Sequence, residues 1–175
     1  GHIAHVPYDI RMRKGDVIQV SSVNSATLPT DLTGSRISSN KPIAVFSGHQ
    51  CAYVPEGIPG CNFLVEQLPP ISSWGKTFIV GEFYSRAKYT VRVLAKEANT
   101  KVYLNSQLVA TLSAGQIYEN SDCAGNSTVS SSQPVLVAQS SHGYHSGDET
   151  GDPMMLLVTP TEFYLNSYQF ATPKT

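Results

Sequence analysis

Apolar and polar residues alternate over short runs, and nowhere does a 3.6-residue apolar period persist for the roughly 11 residues that mark an amphipathic helix. In Tyr89–Ala95 the residues Tyr89, Val91 and Val93 fall on one face, with Thr90 and Arg92 on the other. That is the period of a strand with one buried face. Lys101–Asn105 and Leu108–Leu112 flank the polar break Asn105-Ser106-Gln107, which predicts a hairpin with a short turn. Ala114-Gly115 then turns the chain into Gln116–Glu119. Pro42–Phe46 and Pro134–Ala138 are near-continuous apolar runs led by proline. They predict central strands covered on both faces, each with its proline at the strand entrance.

These two runs belong to a longer correspondence. Ile37–Val45 aligns with Val129–Val137, an offset of 129 − 37 = 92 residues. Leu68-Pro69-Pro70 aligns with Val158-Thr159-Pro160, and Trp74, Phe78 and Val80 with Tyr164, Tyr168 and Phe170, at an offset of 90. Upstream, Lys14–Ile18 resembles Ala114–Tyr118. Repetition on this scale predicts a duplicated domain rather than a solenoid unit. Short strands with frequent turn signals predict a β-sandwich in each copy. The expected fold is therefore all-β: two tandem, jelly-roll-like sandwich modules, spanning 1–74 and 75–175. The second copy carries hairpin strands between Phe78 and Leu112 ahead of its Ala114-Gly115 turn, whereas only 14 residues precede Gly15. The first module is accordingly expected to be incomplete at its N-terminal side.

Composition narrows the partners. The 175 residues include 12 Lys+Arg and 13 Asp+Glu, a formal net charge of −1, so no basic footprint for nucleic acid or an anionic membrane is present. With 41% hydrophobic and 14% charged residues the chain has the make-up of a folded domain, not of a disordered one. No apolar run reaches the roughly 20 residues of a membrane helix.

Cys51 and Cys61 bracket a Pro/Gly-rich loop of nine residues, and a local disulfide is expected there. Closing so short a loop is worth about 2–3 kcal/mol in the chain-entropy picture. Cys123 is left unpaired or bridges to another chain. Asn126-Ser127-Thr128 is the sole N-x-[ST] sequon and places a glycan on a polar loop. Together these lean toward a secreted protein.

The blocks Gly34–His49, Leu64–Pro70, Ser73–Lys76, Phe78–Val80 and Gly151–Met155 resemble the N-terminal domain family of IgG Fc-binding proteins, and the likeness covers most of the chain. The resemblance implies an extracellular binding or structural module rather than an enzyme. It places that module in large secreted, mucus-associated or matrix-like proteins, beside von Willebrand D-type and cysteine-rich modules. It also implies a natural domain longer at its N-terminus.

Candidate chemistry concentrates in His142–Asp152, where His142 and His145 precede Asp148, Glu149 and Asp152. The spacing matches no catalytic zinc motif and no EF-hand. No cofactor is expected; the one metal reading is calcium on Asp148, Glu149 and Asp152. His49 beside Cys51 lacks the orienting group and oxyanion donors that a nucleophilic pair needs. Gly151-Asp152-Pro153 is similar to the self-cleaving sequence of von Willebrand D-type domains, but Met154 stands where that sequence has histidine. Trp74 aligns with Tyr164 and reads as a packing residue.

Tyr53, Tyr84 and Tyr144, in Gly/Pro/Ser-rich loops, are the expected contact residues, with Arg86 and Lys88 adding positive charge beside Tyr84. The sequence thus predicts a non-enzymatic extracellular module for assembly or adhesion. Its partners would be other extracellular proteins or glycans, with self-association as a further mode. A calcium-dependent, lectin-like domain is the main alternative. A metal-dependent enzyme using His142 and His145 is the other.

Overall fold

The structure is a computed structural model that describes residues 6–23, 31–144 and 151–171. The chain forms two compact units, Gly1–Leu32 and Thr33–Thr175. The described residues of the first unit form no strand and are exposed. They contain one tight turn, in which the Asp16 N–H donates to the Arg13 carbonyl (3.1 Å) and the Arg13 N–H to the Asp16 carboxylate (2.7 Å).

The regular structure lies in the second unit. In chain order its strands are β1 (Phe46–Ala52), β2 (Asn62–Gln67), β3 (Gly75–Val80), β4 (Tyr89–Ala95), β5 (Thr100–Leu104), β6 (Gln107–Leu112), β7 (Ile117–Cys123), β8 (Ser127–Ser141) and β9 (Met155–Leu157). Two 3-10 turns, Ile71–Ser73 and Thr161–Phe163, follow β2 and β9. The protein is all-β, and every ladder is antiparallel.

β8 organises the larger sheet. Seven strands run in the order β6-β5-β8-β4-β7, with β3 and β9 also paired to β8. The first part of β8, Ser127–Ser131, pairs with β3 and β5, and the last part, Val135–Ser141, with β4 and β9. The sheet therefore curls about a strand shared by two sets of neighbours. Residues 132–134 have no register partner in these ladders. Pro134 sits in this gap, not at the strand entrance expected from the sequence, because a residue without an N–H is tolerated where the ladder is interrupted.

One continuous core fills the curl. It comprises Phe78, Val80, Tyr89, Val91, Val93, Ala95, Val102, Leu112, Cys123, Val129, Val135 and Val137. The alternation in β4 is as expected for Tyr89, Val91 and Val93, with Arg92 outward. Thr90 departs from it and is buried, because a second contact, to His142, covers that face. The β5–β6 hairpin turns on Asn105 and Ser106, both left-handed (φ 50° and 68°), as two-residue hairpins favour. The Asn105 side chain accepts the Thr128 N–H (2.9 Å) and fastens that turn to β8.

The β1–β2 pair forms a separate two-stranded sheet. Here the central-strand expectation for Pro42–Phe46 fails. Residues 42–45 are not in a strand, and Ile43 and Phe46 are exposed. Among the described residues β1 has β2 as its sole ladder partner, so no second strand flanks it to bury them.

The two hairpins nonetheless share a register. Phe46↔Gln67, Ser47↔Glu66 and Gly48↔Val65 in β1–β2 correspond to Ala138↔Leu157, Gln139↔Leu156 and Ser140↔Met155 in β8–β9, at offsets of 92 and 90. The flanking bonds correspond too: Leu68 N–H to the Val45 carbonyl (2.8 Å), and Val158 N–H to the Val137 carbonyl (2.9 Å). Each hairpin then enters its 3-10 turn through an extended proline, Pro70 or Pro160. The Arg13–Asp16 turn likewise has the hydrogen bonds of Ser113–Gln116, with left-handed Gly15 and Gly115.

Candidate functional site

Two loops meet at one end of the hairpins. Cys51 and Cys61 are joined by a disulfide with a Cα separation of 4.9 Å. The Gly143 N–H donates to the Val54 carbonyl inside that loop (2.7 Å). A Cβ on Gly143 would lie 2.5 Å from the Pro59 carbonyl oxygen and 2.7 Å from that of Gly60, so the backbones touch only because position 143 is glycine. At the far end of the 142–153 segment, the Asn62 amide donates to the Pro153 carbonyl (3.1 Å). Ser141 closes the base: its hydroxyl donates to the Asp152 carbonyl (3.1 Å) and accepts the Met154 N–H (2.9 Å). Both ends of one loop are thus held against the disulfide loop or its base.

A third turn joins them. The Arg86 N–H donates to the Phe83 carbonyl (3.2 Å), and the Arg86 guanidinium lies against Gly151, in the space a Cβ there would occupy. On this framework the tyrosines singled out from the sequence point outward. Tyr84 is 97% exposed, Tyr53 55% and Tyr144 44%. Lys88 is committed elsewhere: its ammonium pairs with Asp122 (2.7 Å), and that hydrogen bond and charge hold the Asp122 carboxyl below its ordinary range.

The metal readings fare differently. His142 is buried, and its Nε2 lies 3.1 Å from the Thr90 hydroxyl, which also bonds Ser121 (3.0 Å). A ring bonded inside the fold does not present itself as a ligand in the loop. His145, Asp148 and Glu149 lie outside the described residues. Asp152 is exposed. Among the described residues no group of three or more His, Cys, Asp or Glu side chains is placed to hold a metal ion. His49 accepts the Cys51 N–H at Nδ1 (3.0 Å), and the sulfur beside it is spent in the disulfide.

Cys123 is a free thiol buried in the core. Within the chain it has no disulfide partner. Burial pushes its pKa up, which also keeps it unreactive. Asn126 sits exposed in the β7–β8 turn, where its side-chain oxygen accepts the Glu82 N–H (3.1 Å). Trp74 is half-buried, with its indole N–H directed at the Pro69 carbonyl (3.4 Å).

Sequence reasoning missed the residues that hold the loops together: Gly143, Asn62 and Gly151. The one signal for the first is that Gly143 aligns with Cys51 at the offset of 92. Nothing in the sequence ties Asn62 to Pro153 or Arg86 to Gly151.

The chain belongs to the IgGFc binding protein family, which matches residues 1–175. It is 30% identical over 162 residues to the IgGFc-binding protein of Homo sapiens. That match covers 88% of this chain but 3% of the relative's length. No solved structure matches the chain. No helix among the described residues is long and apolar enough to cross a membrane.

Proposed function

We propose that this chain is a non-enzymatic extracellular binding module, and that it serves assembly or adhesion within a secreted, mucus-like or matrix protein. The observation that carries the reading is the disulfide loop clamped to the 142–153 segment through Gly143 and Val54. Such a clamp keeps the backbone of a contact surface ordered before a partner arrives, which lowers the entropy lost on binding. Tyr53, Tyr84, Arg86 and Tyr144 form the contact set. Exposed tyrosines on rigid loops suit a protein partner, since each offers a large flat area with few torsions to freeze. The relative's name supplies the first probe, the Fc fragment of IgG. Glycans are the second reading, favoured by the nearly complete exposure of Tyr84.

On the same reading the chain holds two copies of one sandwich module, 1–74 and 75–175, and Asn126 carries a glycan. Immobilised Fc and a glycan array, each probed with and without a calcium chelator, test the function. Binding to Fc that survives chelation and falls at least tenfold in a Tyr53→Ala, Tyr144→Ala variant of unchanged circular dichroism is the expected result. Binding to either probe that the variant retains in full removes the loops as the site.

A further inference from the structure

β3 is a strand that leaves one hairpin and completes the sheet of another. It follows β2 through the Ile71–Ser73 turn, then pairs through Thr77–Val80 with Ser127–Ser130 of β8 and buries Phe78 and Val80 in the core. Residues 165–170 occupy the corresponding place after β9. They follow the Thr161–Phe163 turn, and Tyr168 and Phe170 align with Phe78 and Val80. Gln169 between them keeps the alternation of a strand with one apolar face.

This second segment has no sheet. It is in no strand, with Tyr168 61% and Phe170 85% exposed. It folds on itself instead, the Leu165 N–H donating to the Tyr168 hydroxyl (2.7 Å). The segment that β3 pairs with also has a counterpart. Ser127–Ser131 aligns at the offset of 92 with Ser35–Ser39, which is exposed and in no ladder among the described residues. Ile37, the equivalent of buried Val129, is 59% exposed. The chain therefore holds an unpaired copy of the donor strand and an unpaired copy of the acceptor.

The surroundings favour closure within one chain. β2 packs against β9, and the cleft between the hairpins is lined by equivalent pairs, Glu66 with Leu156, Gln67 with Leu157 and Ser73 with Phe163. Corresponding positions of the two hairpins thus line one cleft, and the offsets that carry one hairpin onto the other also carry β3 onto residues 165–170 and Ser127–Ser131 onto Ser35–Ser39.

We infer that residues 165–170 act as a strap that pairs antiparallel with Ser35–Ser39 of the same chain, in the register Ser167↔Ser38, Tyr168↔Ile37, Gln169↔Arg36 and Phe170↔Ser35. This register is the β3–β8 register, Thr77↔Ser130 to Val80↔Ser127, moved by the two offsets. It rests on the two-copy reading given above. Closing the strap exchanges the Leu165–Tyr168 bond for a ladder, sets Tyr168 across from Ile37 and covers the exposed edge of the first copy. An uncovered edge of this kind otherwise invites pairing with foreign strands.

Paired cysteines in the full chain test it, since directly opposed residues bring their Cβ atoms within about 5 Å. Arg36→Cys with Gln169→Cys, oxidised at low protein concentration, should give an intramolecular disulfide, located by peptide mapping. Ser38→Cys with Gln169→Cys, off register by two residues, should give at least tenfold less. No 36–169 bridge, equal yields from the two pairs, or a bridge formed only between molecules each overturns the strap. Ser47→Cys with Glu66→Cys and the corresponding Gln139→Cys with Leu156→Cys report on the repeated hairpin itself. If both bridge while 36–169 does not, the strap fails and the repeat stands; if the two differ, the repeat fails.

Discussion

The β1–β2 and β8–β9 hairpins are paired alike and buried unlike. Val135 and Val137 are fully buried, whereas Ile43, the equivalent of Val135, is 49% exposed, and Phe46, one position beyond the equivalent of Val137, is 62% exposed. The apolar pattern is nearly the same in both, so the pattern does not account for the burial. The neighbours do. β8 has β4 and β5 on one side and β3 and β9 on the other, while among the described residues β1 has β2 alone. Alternation decides which face of a strand is apolar, and only a flanking strand or a second layer removes that face from water.

The sharpest break of this comparison is a pair of equivalent truncations. Val135→Ala empties part of a closed core and should cost about 2–3 kcal/mol in urea unfolding, from lost transfer energy and the cavity left behind. Ile43→Ala should cost under about 0.5 kcal/mol, as an exposed position does. Equal losses would mean that the first hairpin is covered in solution, and the contrast would dissolve. A smaller effect comes from Tyr89, which begins β4. Its hydroxyl donates to the Gly125 carbonyl (2.8 Å) and shares a hydrogen bond with Ser127 (2.9 Å), holding the turn that starts β8. Burial raises the phenol pKa, partly offset by Ser127, so the group stays a donor at neutral pH. Tyr89→Phe keeps the ring and should lose about 1–2 kcal/mol. A loss under about 0.3 kcal/mol would show that backbone pairing alone seats β8.

How much of this was legible follows the same division. Strand existence could be read wherever side chains alternate, as in Tyr89–Ala95, and the Asn105-Ser106 turn could be read from its residue types. The Cys51–Cys61 bridge could be read from loop length. The two proline-led runs could not be told apart, because their difference lies in strands distant in sequence, such as β4, whose Ala95 pairs with Val135. Pro134 was misplaced for a related reason: the interruption that admits it is made by a change of partners along β8, which has no local signature. The loop tyrosines were identifiable as exposed, but the clamp through Gly143, Asn62 and Arg86 depends on tertiary proximity. Alternation puts Thr90 on the solvent face, and nothing near it in sequence announces His142.

The two 3-10 turns give the finest test. They share their backbone hydrogen bonds, Ser73 to Pro70 and Phe163 to Pro160. All three side chains differ, Ile71-Ser72-Ser73 against Thr161-Glu162-Phe163, and the one that changes the contacts is Glu162, which stands where the first turn has Ser72. The Glu162 carboxylate accepts the Lys76 N–H (2.6 Å) and so ties its turn to β3. Burial on its own would raise this carboxyl. Bonds from the N–H groups of Glu162, Lys76 and Thr77 and from the Thr161 hydroxyl outweigh that, and the pKa lies below the ordinary value. A carboxyl depressed by folding stabilises the folded state above its unfolded pKa, near 4.3, and loses that contribution as the pH falls through the folded value. Because Glu162 is solvent-exposed, the contribution is screened and should be under about 1 kcal/mol. Glu162→Gln should therefore lower the urea midpoint at pH 7, and the deficit should shrink as the pH falls through the depressed folded value. Ser72→Ala should show no such pH dependence. A Glu162→Gln deficit that persists undiminished at low pH would assign the contribution to the shape of the side chain, and the charge would no longer distinguish the two turns.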